Sequence, residues 1–313
     1  MLLGVLAAAL AAVSWSLSFI IPFVIGAYTL FDFTVVEFAF SGLLGAALLA
    51  RSAARVRRLE PGDWLAACTL GLIGYVCYFL AVMGAAVYAG PVIAPAFLGL
   101  VPVVLAVAGN LRERTVSWKA LGLPLLLAAG GLLLVNGSGW LHAGGLQARS
   151  LLLGIPLAVL AVTFWTCFGL LNQSALAKRP DMDAGVWTGL ILTGAGVATL
   201  VLLPVGLHWG LLQMPHLGLH WQSAGPLILW ALGLAVFANV GGATAWTFAS
   251  QRLPVALAAQ LITLEPTSAT ILGLIVHRRW PSSMEVVGML VLLAGVISAI
   301  GVFSAAPARA RTD

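Results

Sequence analysis

Pro254–Trp280 reads PVALAAQLITLEPTSATILGLIVHRRW. A carboxylate, Glu265, stands beside a proline, Pro266, inside an apolar run that closes on a basic cluster. Pro91–Arg114 follows the same plan: PVIAPAFLGLVPVVLAVAGNLRER opens on Pro-Val, carries Pro102 in its interior and ends in charge. Pro102 and Pro266 are 164 positions apart, and each run leads into a further apolar segment. A pattern stated twice predicts a chain built twice.

Of the 313 residues, 61% are hydrophobic and only 8% charged, whereas soluble domains carry about a quarter charged residues. Strands of about ten alternating residues, which a transmembrane barrel needs, are absent. The fold class predicted is an all-α integral membrane protein, with about 20 apolar residues per span. Ten transmembrane helices are expected at 2–22, 33–50, 64–87, 90–110, 117–136, 151–176, 185–206, 224–248, 254–276 and 283–304. The start MLLGVLAAALAAVSW is apolar at once, which reads as an uncleaved first span rather than a signal peptide.

The net charge of +5 comes from basic residues scattered between apolar runs, so it reports topology and implies no nucleic-acid partner. Positive loops stay cytoplasmic. With the N-terminus inside, twelve of the 15 Lys and Arg face the cytoplasm and only Arg149, Arg278 and Arg279 face out. Both termini are therefore expected in the cytoplasm of a bacterial cell inner membrane protein. Cys68, Cys77 and Cys167 lie in apolar segments without a ligand-spaced neighbour, which favours packing over a disulfide or metal.

Sliding the chain on itself aligns LAAVSWS at Leu10 with LAVTFWT at Leu160, placing Trp15 on Trp165. Ser41-Gly42 then meets Thr193-Gly194, Pro91 meets Pro254, and Gly131 meets Gly295. Five spans is an odd number, so the two copies must enter the membrane in opposite senses, as in many secondary transporters. The expected organisation is two inverted five-helix repeats, 1–136 and 151–304, with a periplasmic connecting loop at 137–150 and a cytoplasmic tail at 305–313.

With these features the sequence resembles the drug/metabolite transporter superfamily, in the ten-span group of EamA type. The likeness covers about residues 3 to 304, and its most specific pieces are Trp15-Ser16, the run from Pro102 to Glu113, and Leu264-Glu265-Pro266. Within that superfamily the chain is similar to the bacterial aromatic amino acid exporter group through Tyr75, Tyr78, Trp165, Leu192-Thr193-Gly194-Ala195 and Trp246. One departure is His277-Arg278-Arg279, where the family often has Gly-Glu, so no acidic role is carried over to that loop. The resemblance implies an exporter of amino acids or related small metabolites working by alternating access, with helices one, three, four, six, eight and nine around a midplane cavity.

Glu37 and Glu265 are the charged side chains set well inside the apolar spans. An ionised group at the bilayer centre costs roughly 2.5–3.5 kcal/mol on insertion scales. Each acid is thus either a cavity group that binds an ammonium or carries a proton, or a carboxyl hydrogen-bonded to a neighbouring helix; for Glu37, five residues after Asp32 and nearer a helix start, reaching to interfacial water is a further reading. Trp15 and Trp165 lie near mid-span, out of reach of an interfacial belt, whereas Trp187, Trp209, Trp221 and Trp280 near span ends read as belt anchors, with the mouth of a cavity as a second place for Trp187. Tyr75 and Tyr78 share a helix face.

Asn172, Gln173, Asn239, Thr244, Gln260 and Thr263 complete the candidate lining, each also able to join neighbouring helices. The substrate-binding set is therefore Trp15, Glu37, Tyr75, Tyr78, Trp165, Asn172, Asn239, Trp246, Gln260 and Glu265. Pro95, Pro102 and Pro266 are candidate hinges. Membrane lipid and a small-molecule substrate are the expected partners, with protons as a candidate coupling ion. No cofactor, metal site or enzymatic activity is expected: Gly137-Ser138-Gly139 with His142 lacks a nucleophile elbow, and His208, His216 and His220 alternate with apolar residues. The other classes are transport of a polyamine, a drug-like amphiphile, a nucleotide or a lipid precursor, or a membrane-embedded enzyme.

Overall fold

The computed structural model describes the chain apart from residues 83, 86–87, 89–96, 98, 141–147, 277, 279 and 306–313, and apart from the side chains of 136–140, 148–151, 266, 273 and 276. Among the described residues every regular element is helical. In lipid a helix satisfies its own backbone N–H and C=O groups, which open strands cannot do.

Nine described helices are long and apolar enough to cross a bilayer. They are α1 Leu2–Val24, α2 Leu30–Arg51, α3 Pro61–Val82, then, beyond the shorter α4 Val101–Glu113, α5 Trp118–Val135, α6 Leu152–Lys178, α7 Ala184–His208, α8 Trp221–Ser250, α9 Val255–Leu272 and α10 Ser283–Ala305. The first part of the fourth expected span, with Pro95, lies outside the described residues. Helix α5 continues to Trp140 and helix resumes at Ala148, so the 137–150 connector is shorter than expected.

Glycine sets how the helices pair. A β-carbon at Gly42 would stand 2.9 Å from Gly196 Cα, and one at Gly45 would stand 2.8 Å from Gly189 O and 2.9 Å from Thr193 N. Helices α2 and α7 therefore touch backbone to backbone, and because the partner number falls as the other rises, they run antiparallel. A second seam joins α5 to α10: a β-carbon at Gly131 would stand 2.9 Å from Gly288 O and Leu292 N, and one at Gly288 would stand 2.7 Å from Val135 N. It is antiparallel by the same reasoning. Helix α1 packs on α8 and α9, and α4 packs on α9, so the first and second halves interleave.

Among the described residues four helices depart from α geometry: α1 takes a 3-10 turn over Leu17–Ile20, and the departures in α3 and α8 are spaced as the sequence repeat is. Helix α3 is π-helical over Leu72–Cys77, and α8 over Ala235–Gly242. Helix α9 is interrupted at Thr263 between Val255–Ile262 and Leu264–Val276. Pro102, expected in the interior of a span, instead occupies the first turn of α4, where its missing N–H has no intrahelical acceptor to lose. Pro266 likewise falls in the first turn of the second piece of α9.

The two ends of the bundle are tied by polar groups. At the end away from Met1, Asp32 is fully buried and closes a capping box with Thr29. Its Oδ1 also accepts from Gln213 N at 2.9 Å and Met214 N at 3.0 Å, while Tyr28 donates to Gly218 O at 2.7 Å. At the Met1 end, Arg55 pairs with Asp183 at 2.8 Å and Arg179 with Asp63. Asp32→Ala strands several buried N–H groups at once. With hydrogen bonds to charged groups worth about 1.5–3 kcal/mol, the variant is expected to lose at least about 3 kcal/mol, read as a lower unfolding temperature of the detergent-purified protein.

Candidate functional site

The centre of the bundle is filled by aromatic rings contributed by both halves. Trp15 meets Trp165 edge-on at a centroid distance of 5.3 Å and Trp246 at 5.6 Å. Trp165 continues to Tyr78 at 5.0 Å and stacks on Phe168 at 5.1 Å, and Phe168 meets Tyr75 at 5.8 Å. Among the described residues these rings pack against one another in the region where the midplane cavity is expected. Such contacts contribute roughly 0.5–1.5 kcal/mol per pair beyond area burial.

The π segments aim polar groups into this cluster. Tyr75 sits within the π turn of α3, and Ala238 and Asn239 within that of α8. Trp15 donates its indole N–H to Ala238 O at 3.2 Å. Asn239 Nδ2 donates to Glu37 Oε1 and to Ser41 Oγ, both at 2.9 Å, and Ser41 Oγ donates to Glu37 O at 2.8 Å. Glu37 is 1% exposed and its Oε2 has no hydrogen-bond partner. It is thus no interfacial side chain reaching for water, and α2, absent from the expected ring of cavity helices, belongs to the site.

Glu265, on the second piece of α9, is partly buried. Neither it nor Glu37 has an ion-pair partner among the described residues. The Arg residues that pair do so at the Met1 end.

Two other candidate residues have structural partners or none. Asn172 Oδ1 accepts from Trp187 Nε1 at 2.8 Å. This corrects the reading of Trp187 as a belt anchor: it is 2% exposed, because α7 packs on α2, α3 and α8. Trp209, Trp221 and Trp280 are well exposed, as anchors should be. Gln260 is fully buried with both amide atoms unpartnered.

Sequence reasoning missed Ser41 and Phe168. Both were accessible through helical spacing: Ser41 is four residues after Glu37, and Phe168 three after Trp165, hence on the same faces. Among the described residues no three His, Cys, Asp or Glu side chains gather as a metal site would require.

The sequence matches the EamA-like transporter family over residues 2–137 and 152–301. It is 28% identical over 314 residues to "Inner membrane protein YtfF" of Escherichia coli (strain K12), a match covering 96% of this chain and 95% of that protein. A solved structure described only as "Crystal structure of protein" superposes with a TM-score of 0.72 at 19% identity, covering 95% of this chain and 96% of that one. At that identity the superposition shows the fold alone.

Proposed function

Because the chain belongs to the EamA-like transporter family, we propose that this multi-pass inner-membrane transporter exports amino acids or related small metabolites by alternating access. The observation that carries the reading is the meeting of corresponding residues from the two halves around buried acid. Trp15 and Trp165 touch at 5.3 Å, and Tyr75 and Asn239, 164 positions apart, are both borne on π turns. A substrate ammonium finds Glu37 and Glu265, and an apolar side chain finds the rings.

Two inverted five-helix repeats, 1–136 and 151–304, fit the antiparallel α2–α7 and α5–α10 seams. Helices that occupy the same place in each copy cross the membrane in opposite directions. Both termini on the cytoplasmic side fits the contact of Ser304 with Met1 and the distribution of Lys and Arg. Labelling of engineered cysteines in 137–150 and after 304 should find them on opposite faces; a common face would rule out inversion.

Proteoliposomes loaded with a labelled amino-acid mixture test the cargo, and flux no greater than from empty liposomes would remove it. Glu37→Gln is expected to reduce that flux at least tenfold and to flatten its dependence on pH between about 6 and 8, given the role of acid side chains in proton transfer. Unchanged flux at every pH would assign Glu37 to packing. A second reading, an amphiphilic amine as cargo, is favoured by rings beside unpaired acids, the arrangement that binds organic cations. A labelled monoamine in the same liposomes decides between the two.

A further inference from the structure

The turn at 251–254, between α8 and α9, sits at the Met1 end of the bundle: a β-carbon on Gly4 would stand 3.0 Å from Leu253 Cδ2. Side chains of two other helices hold it there. Glu113, the last residue of α4, accepts from Val255 N through its Oε2 at 3.0 Å. Gln173, on α6, donates from Nε2 to Leu253 O at 2.8 Å, and Gln251 of the turn donates to Met182 O at 2.7 Å. Val255 is the first residue of α9 and follows Pro254, so its N–H has no acceptor within its own helix. A carboxylate at that place also meets the positive end of the helix dipole. Of these three bonds, it alone carries a formal charge.

Helix α4 brings the carboxylate to the turn on a fixed support. The helix ends at Glu113 because Arg114 is left-handed, with φ 48°. Asn110 secures the chain beyond it, donating to Val116 O at 3.2 Å and accepting from Val116 N at 3.3 Å. The preceding residue, Arg112, grips α6 instead, donating to Leu170 O at 3.2 Å and to Ser174 Oγ. A β-carbon at Gly109 would stand 2.7 Å from Val255 Cβ and 3.0 Å from Ala256 N, so α4 and the start of α9 also meet closely. Successive residues of α4 thus bridge α6 and α9. By the offset that lays Pro102 on Pro266, the counterpart of Glu113 in the second half of the sequence is His277. The repeat has no carboxylate at that position, so the fastening belongs to one half only.

We propose that Glu113 is a positioning residue of the transport cycle: its bond to Val255 latches the α8–α9 turn over the Met1-side entrance to the ring cluster, and is released each time that entrance opens. The assignment rests on the transport reading above and adds the element that moves. Helix α9 is already interrupted at Thr263, so Val255–Ile262 can swing as a unit while the piece bearing Glu265 keeps its place. A conformational equilibrium shifts only by what a group contributes differently to the two states. The latch stabilises the closed one alone, and its removal favours opening.

Ser250, the last residue of α8 and 7% exposed, reports the opening when changed as Ser250→Cys. The reagent is a membrane-impermeant maleimide, applied to membrane vesicles of the full-length protein and read against the same protein with Ser250 intact. With the Met1 side outward, Glu113→Ala should speed labelling of this thiol at least about tenfold, a factor within the worth of a hydrogen bond to a charged group. Glu113→Gln keeps an oxygen for Val255 N and should restore most of the slow labelling. Applied from the opposite side, the reagent should show no gain, because a shifted gate opens one face whereas a loosened fold opens both. Glu113→Asp, one methylene short of Val255 N, serves if the alanine variant is not folded and should speed labelling several-fold. Labelling that stays at the Glu113 rate in these variants, or that rises equally from both sides, refutes the latch while transport stands. Absence of flux for every labelled amino acid and amine in liposomes removes the transport reading, and the latch as part of a cycle falls with it.

Discussion

Trp15→Ala is expected to lower flux at least tenfold and to cost about 3–5 kcal/mol of stability, the range for truncating a large buried aromatic side chain. Trp15 is 8% exposed and touches Trp165 and Trp246, so its removal opens the junction between rings of the two halves. It also leaves Ala238 O without its indole donor. Trp15→Phe separates the two effects, since a ring remains and only the hydrogen bond goes. The phenylalanine variant should recover most of the stability and less of the flux. Unfolding temperature and liposome flux are the measurements, and an alanine variant equal to wild type in both would reduce the ring cluster to inert filler.

The second large effect is steric. Gly45→Val puts a branched side chain where even a single β-carbon would stand 2.8 Å from Gly189 O, 2.9 Å from Thr193 N and 3.0 Å from Leu192 Cβ. Two of those atoms are backbone and cannot rotate away, so α2 and α7 must separate. Overpacking typically costs about 1–3 kcal/mol; with backbone on the receiving side, a loss of about 3 kcal/mol and a fall in yield of folded protein are expected. Gly122→Val is the control, since nothing lies within 4 Å of its position. Equal unfolding temperatures for the two variants would show that the seam yields.

Much of this was legible in the chain because hydropathy and repetition are properties of sequence. Apolar run length located the nine spans found among the described residues, and the offset that laid Trp15 on Trp165 named two residues that turn out to touch. What escaped was set by geometry that leaves little trace in composition. Nothing in LIGYVC or AVFANVGG announces a π turn, yet those segments aim Tyr75 and Asn239 inward. Trp187 was misread because distance from a span end carries no information on whether a neighbouring helix covers it. Glu37 was read as a residue near a helix start, where water is accessible; its bond to Asn239, 202 positions away, depends on how α2 meets α8. Pro102 and Pro266 each stand in the first turn of a helical piece, and at Pro266 that start is the interior break of α9.

The π turns also bear on how this chain tolerates insertion and deletion. A π turn holds one residue more than the α turn it replaces, and each residue of an α-helix advances the following side chains by about 100°. Deleting a single amino acid within Leu72–Cys77 would restore regular coiling and swing Tyr78 and Phe79 away from the neighbours they now face. The same lesion within Ala235–Gly242 would turn Trp246 off Trp15. At these two places the chain's length, as much as its composition, is under functional constraint.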